Sequence, residues 1–508
     1  MHSMEELLTL AGKCHIAWLD PDEDLMPTGG YEVAHDTGRW WDAMLRLENA
    51  TGFAIPAEIE AAMLRNLHRL MGNPDALLMN DPSVEWLKEK ARINPHNFRE
   101  GLLAVTSLVR FRDSAWARET GHRLLKTMDR CLQSDGRFDF TRLVCWGKVP
   151  HTDDPSHDQK PGKPWFDGTA NSGRALEAVV WFYEATGDCL ALDVAERIAR
   201  HHLANTVNPD GSVRAEIVDP NNVGHNHSYL GTLRGLLLFG LLTSQSEYVE
   251  AVTATYMNSL WRHNITESGW TPHDLGKTRF PDEKGDPVGE HASCGDVAQL
   301  ALWLALRAGH TELLDDVERL VRARLLPSQT VDENNPRQHG AWGVYSHPFG
   351  QGSTLDVFAA VTHSLADIYQ HVVTRSAEGV VSVNLHFDIE TPWATVQTRR
   401  SEKGRLIVEP KQRSEVRLRV PGWAPRETLR LEAWGNPLPL RWEGHYLIVS
   451  SRDVPAGAAL ELAYDLPLRE TTEVMPVSRR EFRLTWRGDE VAACDPEVPI
   501  YPVFVKGG

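Results

Sequence analysis

The sequence predicts a ring of paired helices, an (α/α) toroid with a funnel-shaped pocket, followed by a small antiparallel β-sandwich. Three observations carry this reading. Residues 1–375 repeat one unit: an apolar helix, a short turn and a second, amphipathic helix. The connections between units are long and rich in Trp, His, Asp and Gly. After about Thr374 the texture changes to short β-branched and aromatic runs separated by Gly, Pro and Asn.

The repeat begins weakly at 39–52 followed by 56–71, and is plain at 106–112 followed by 114–132. It recurs with the 181–188 segment leading into 193–202, 236–242 into 249–261, and 300–308 into 313–325. Helical hairpins of this kind bury their apolar faces only by stacking on one another. Solenoid repeats use short loops, whereas the connections at 145–173, 207–228, 264–296 and 331–356 are long, and long loops in a compact domain usually carry function. Because all four follow the same pattern, they are expected to gather on one end of a closed ring. Downstream, 380–387, 416–420, 446–449, 459–464 and 481–486 read as strands. The run 415–420 is the cleanest, with apolar residues on one face and charged residues on the other. Strands at this spacing predict an antiparallel sandwich. The domains are therefore 1–375 and 376–508.

At 508 residues, with 42% hydrophobic and 24% charged side chains, the chain has the composition of an ordinary folded protein. Acidic side chains outnumber basic ones by 70 to 53, a net charge of −17, which repels phosphate backbones and argues against nucleic acid and for a neutral partner. No apolar run reaches the ~20 residues that span a bilayer, so no membrane partner is expected. The first six residues lack a basic and an apolar region, and the six cysteines are scattered without a CxxC pair; both point to the cytoplasm. Exposed sheet edges of the β domain leave room for a homodimer. The chain has no phosphate-binding Gly-rich loop, no dinucleotide fingerprint, no HExxH and no GxSxG, so no cofactor is expected. Seventeen tryptophans offer flat apolar faces that suit the CH faces of sugars, against the competing reading of each as core.

The densest polar segment runs from Thr266 through Trp270, His273 and Asp274 to Glu290, His291 and Asp296. Asp296, at the expected helix start, is read as a cap; Glu290 lies in loop context, open to catalysis or to a structural ion pair. A second cluster, Gly224-His225-Asn226-His227-Ser228-Tyr229, precedes an apolar helix, and Glu216 and Asp219 lie in the same connection. The two histidines suit sugar hydroxyls better than metal, because further ligands at suitable spacing are lacking. A third loop offers Trp342, Tyr345, His347, Ser353 and Asp356. Arg174 and Lys277 are the loop cations that would face an acidic sugar. Aromatic loops, clustered histidines and scattered carboxylates on a helical toroid point to carbohydrate, whose glycosidic bond is hydrolysed by two spaced carboxyl groups.

The chain also resembles the glycoside hydrolase family 127 group of β-L-arabinofuranosidases. The resemblance covers most of the chain and rests on 224–234, on Gly289-Glu290-His291-Ala292-Ser293 entering a helix, on 367–369 followed by 381–385, and on 418–424. It implies an (α/α)6 barrel with a β-sandwich. That family uses a zinc-bound cysteine as nucleophile, with a glutamate and further cysteines as ligands. Glu290 matches the glutamate; Ala292, Ser353 and Thr354 stand where the cysteines would be. The zinc–thiolate site is therefore expected to be lost, with no metal in its place. Asp274 is nearest to the family's acid/base glutamate, and His227 or His225 matches a histidine that contacts substrate.

Three readings follow. The first is a hydrolase acting on a neutral oligosaccharide or glycoside by water attack, with Glu290, Asp274 or Glu216 as acid and base. His225, His227, Trp270, His273, Arg174, Trp342, Tyr345, His347 and Ser353 would bind substrate. The second is an inactive relative that binds sugar, with its pocket carboxylates tied up by Arg or Lys. The third is a lyase or epimerase in which His227 or His273 moves the proton.

Overall fold

The computed structural model describes residues 3–81, 83–84, 93, 96–145, 172–345, 350–453 and 457–501. His347 and most of the 145–173 connection lie outside these residues.

Among the described residues, six helices form a closed inner ring. In chain order they are Val33–Thr51, His96–Arg112, Gly173–Thr186, Asn226–Thr243, His291–Ala308 and Leu355–Gln370, and the last packs against the first. The outer layer consists of Ala57–Leu70, Ala115–Cys131, Cys189–Asn205, Ser246–Thr255 and Leu314–Leu320, each following its inner partner. The sixth outer helix is Met4–Ala17, which packs beside Leu355–Gln370 and closes the ring from the other end of the barrel sequence. The fold is the (α/α)6 barrel that the resemblance implied.

Local chemistry explains the hairpins. The five inner-to-outer turns each carry one left-handed residue at the end of the inner helix: Gly52, Asp113, Gly187, Ser244 and Gly309. Such a residue lets the last N–H groups bond back and reverses the chain. Ser114 and Asp188 then cap the following outer helices through their side-chain oxygens. The inner helices are buried all round, as in Asn226–Gly240, where every residue is inaccessible; the outer ones expose a polar face. Gly173 and Gly235 allow close approach between neighbouring inner helices, since a Cβ there would lie 2.5 Å from the Thr232 side chain and 2.8 Å from that of Leu176.

The barrel axis carries charge as well as hydrocarbon. Arg99 bonds Glu100 and Glu177, Glu177 bonds Arg234, and Arg234 bonds Asp296 and Gln299. Lower down, Arg46 joins Asp42 to Asp367. Buried charges are tolerable only when paired and hydrogen-bonded in this way. Asp296 is thus not a cap: the helix begins five residues earlier, at His291, and the carboxylate lies in the axial network.

The barrel ends at Gln370 and the first strand of the β part is already Val373–Arg375. A five-stranded sheet orders 442–443, 446–449, 416–419, 381–383 and 373–375; a six-stranded sheet orders 436–437, 430–433, 460–465, 403–410, 394–400 and 389–390. Pairing is antiparallel except between 381–383 and 416–419. Leu468–Val474, Glu481–Arg487 and Glu490–Asp495 form a separate meander whose apolar side joins Trp270, Ala323 and Tyr345 of the barrel. Period-two alternation holds in Leu460–Asp465 and Lys403–Pro410. It fails at Arg419, which is buried instead of solvent-facing. There, at the end of the sheet's central strand, its guanidinium meets Asp315 and Glu318 of a barrel helix. No helix among the described residues is long and apolar enough to cross a membrane.

Candidate active site

The six inner helices run in one direction, so their N-termini converge on one end, and a cavity of about 300 Å³ opens there. Each inner helix places a residue from its first turns, or from the residues just before it, in the lining: His35 and Arg39, His96, Arg174, His225 and His227, Glu290, and Asp356 with Thr354. The loops add Tyr31, His273, Arg279 and Phe280. The lining is dominated by imidazole and guanidinium groups, in contrast to the acidic surface.

Glu290 is the last residue before its helix. It is held by pairing of Gly289–Glu290 with Val344–Tyr345 and by hydrogen bonds of Thr271 to its backbone. Gly289 is required there, because a Cβ would lie 2.1 Å from the Tyr345 ring. His225 Nε2 lies 3.4 Å from Glu290 Oε2, and no Lys or Arg comes within 4.0 Å of Glu290 among the described residues. Ser228 holds Nδ1 of His225 at 2.8 Å.

His227 is locked. Its Nδ1 bonds Asp296 and its Nε2 accepts from Arg39 at 2.9 Å. Burial, with the Arg39 charge in support, keeps this imidazole well below its ordinary pKa and therefore neutral. With its Nδ1–H given to Asp296 and its Nε2 lone pair taken by Arg39, neither nitrogen is free to exchange a proton with substrate, which argues against it as the proton-transfer group of a lyase or epimerase.

Two further carboxyls matter. Asp274 is bonded by His273 Nδ1 at 3.0 Å and by Arg279 at 2.9 Å. Burial pushes it up, but His273 and Arg279 together hold it below the usual carboxylate range. It stays charged and does not line the cavity, which corrects its reading as acid/base. Asp356 lines the cavity and forms no ion pair within 4.0 Å among the described residues. Burial and then Glu290 raise it against the pull of Arg39. Behind it Asp36 is raised well above its ordinary value by burial and by Asp356 and Glu32. A proton is thus held on this wall at pH values where a free aspartic acid is ionised.

The other sequence-predicted residues divide. Arg174, His225, His227, His273 and Glu290 converge on the cavity; burial, followed by Arg99 and Arg39, holds the Arg174 guanidinium down to about 9. Glu216 is exposed on the short helix Ala215–Val218, outside the lining. Trp270 and Tyr345 pack in the core between barrel and meander, and Trp342 is buried with its Nε1 donating to the Leu325 carbonyl at 2.7 Å. Ser353 donates to the Arg337 carbonyl. These four are structural, which corrects their reading as substrate contacts. Among the described residues, the Tyr and Phe rings that do face the cavity are Tyr31 and Phe280, 37% and 53% exposed. Neither was foreseen, nor were His35, Arg39 and His96 or a catalytic part for Asp356. Position within the first turns after a long connection was the available signal.

A zinc–thiolate centre does not fit. Ala292 is packed against Val357 and Ala360, and among the described residues no cysteine lines the cavity. Cys294 is fully buried, its thiol pushed up to about 12 by burial.

No family model matches the chain, and no curated protein matches it in sequence. Solved structures do. A protein described as a glycoside hydrolase aligns over 96% of this chain and 80% of its own, with a TM-score of 0.61 at 13% identity. A GH127 β-L-arabinofuranosidase from Geobacillus stearothermophilus T6 aligns over the same shares with a TM-score of 0.56 at 13% identity. The chain shares their fold, a barrel of paired helices followed by a β part. An unsaturated glucuronyl hydrolase from Bacillus sp. GL1 aligns over 73% of this chain and 97% of its own, with a TM-score of 0.51 at 14% identity.

Proposed function

We propose that the protein is a glycosidase that hydrolyses the O-glycosidic bond of a small neutral carbohydrate by direct attack of water. The observation that carries this reading is a pair of carboxyl groups in one cavity with opposite surroundings. Asp356, among buried carboxyls, keeps its proton and gives it to the leaving oxygen. Glu290, beside His225 and His273, holds and polarises the water that attacks the anomeric carbon. Tyr31 and Phe280 offer ring faces for the sugar's CH groups at the mouth. Arg39 and Arg279 are already paired with Glu100 and Asp274, which leaves Arg174, bonded to His96, as the lining guanidinium without a carboxylate within 4.0 Å among the described residues.

A sugar-binding protein without activity would have both pocket carboxylates tied to Arg or Lys. Glu290 and Asp356, the two carboxyls that line the cavity, have no Arg or Lys within 4.0 Å among the described residues, which favours the enzyme.

The test is a panel of oligosaccharides and aryl glycosides followed by proton NMR, with wild type beside Asp356→Asn. Water attack requires an inverted first-formed anomer and loss of product in the variant. A retained anomer, or an Asp356→Asn enzyme as fast as wild type, would overturn the proposal.

A further inference from the structure

Two groups of donor atoms in the cavity wall have the composition of a metal site, and they differ in one respect. In His35, His96 and Glu100, the carboxylate already has cations against it: Arg39 Nε at 3.1 Å and Arg99 Nη1 at 2.9 Å. In His225, His273 and Glu290, each residue offers one donor within 4.8 Å of the other two, and no guanidinium or ammonium lies within 4.0 Å of the carboxylate among the described residues. We infer that His225, His273 and Glu290 bind one divalent metal ion of the class that takes imidazole and carboxylate ligands, Zn²⁺ foremost.

The His225–Glu290 spacing suits an ion better than a hydrogen bond. The 3.4 Å from His225 Nε2 to Glu290 Oε2 exceeds the usual ~2.7–3.2 Å of an N–H···O bond. Ligands ~2.0–2.2 Å from a tetrahedral zinc stand about 3.4 Å from one another. The imidazoles also have the outer partners that metal ligands have. Nδ1 of His225 is held by Ser228 Oγ at 2.8 Å, and Nδ1 of His273 by the Asp274 carboxylate at 3.0 Å. That leaves Nε2 of each ring for the ion, backed by a hydroxyl in one case and a carboxylate in the other. Three protein ligands leave a fourth position, and since all three residues line the cavity, it opens toward the substrate space. The ligand set shares only Glu290 with the family's thiolate centre. With the ion bound, Glu290 would serve as a ligand and the ion would take over the polarising of water that the metal-free reading gives to Glu290. The inference stands on donor geometry and does not depend on the hydrolase reading.

The test is calorimetric titration of chelator-treated protein with Zn²⁺, together with the visible spectrum of the Co²⁺ form. One ion per chain is expected, with a cobalt spectrum of low-coordinate intensity. His225→Asn, His273→Asn and Glu290→Gln should each raise Kd at least ~100-fold, and Ser228→Ala and Asp274→Asn by about 10–100-fold. Thermal melts without metal check that each variant is folded; if a ligand variant fails to fold, Ser228→Ala and the wild-type cobalt spectrum decide. No saturable binding to wild type, or equal binding by folded ligand variants, would overturn the site. A glycoside panel without products would sink the hydrolase proposal and leave this titration unaffected.

Discussion

Asp356 and Glu290 show how environment assigns roles to two carboxyls in one cavity. Asp356 is raised by burial and by Glu290. A group raised in this way is protonated up to a higher pH than a free aspartic acid, and the fraction able to act as acid falls as pH rises past its own value. The kcat/KM profile should therefore have an alkaline limb that belongs to the acid, and Asp356→Asn should abolish that limb. The same variant should lower kcat by roughly 10²–10⁴-fold, the usual share of a positioned general acid. An unchanged limb in the variant would assign it to another group. His227 gives the contrasting case, a cavity histidine whose nitrogens are consumed by Asp296 and Arg39. His227→Gln is expected to act through Arg39 position, raising KM more than it lowers kcat, and steady-state kinetics read that split.

At the scale of the element, the two-residue pairing of Gly289–Glu290 with Val344–Tyr345 sets where Glu290 stands. A methyl group at Gly289 would collide with the Tyr345 ring, itself seated over the Arg324 guanidinium at 4.7 Å. Gly289→Ala should cost about 1–3 kcal/mol by overpacking and displace Glu290 with it. Denaturant melts give the first effect and kcat the second; a Gly289→Ala enzyme with full activity would mean the ladder does not position Glu290. The Glu473 carboxylate, reaching from the meander to Ser268 and Thr266, secures the same loop from the other side.

For the whole molecule, barrel and β part are joined through buried charge. Arg419 meets Glu318 and Asp315, and His386 bonds Tyr464 and the Arg419 carbonyl. Arg419→Ala leaves Glu318 buried without that partner and should cost about 3–5 kcal/mol in thermal or denaturant unfolding. Burial holds His386 down to about 4, and puts His15 and His35 well below their ordinary value. These rings stay neutral in the folded chain but take protons at about 6.5 when unfolded. The unfolded state binds more protons between those values, so their contribution is complete above pH 6.5 and is lost as pH falls toward 4. A melting temperature that holds steady from pH 7 to pH 4.5 would contradict this.

The repeat of apolar helix, turn and amphipathic helix was legible because burial of a helix face imposes its period on the chain locally. So was the change to strands near residue 374, and so was the convergence of three of the long connections, 207–228, 264–296 and 331–356, the fourth lying mostly outside the described residues. Glu290, His225, His227, His273 and Arg174 could be singled out since they lie in or beside those connections. Other features have no local signature. Met4–Ala17 closes the ring beside a helix some 350 residues later, and only packing pairs them. Trp270 and Tyr345 have the composition of sugar platforms, yet they face inward, because which side of a loop is outside depends on the meander packed against it; Trp342 faces the barrel core instead. Asp274 looks like Asp356 in sequence; Arg279 beside one and buried carboxyls around the other make the first a fixed charge and the second an acid. Sequence alone determined the kinds of element and the end of the barrel where chemistry gathers, because these follow from short-range periodicity. The tertiary structure decided which carboxyl, ring and imidazole face the cavity, because charge, burial and partners are supplied by residues far apart in the chain.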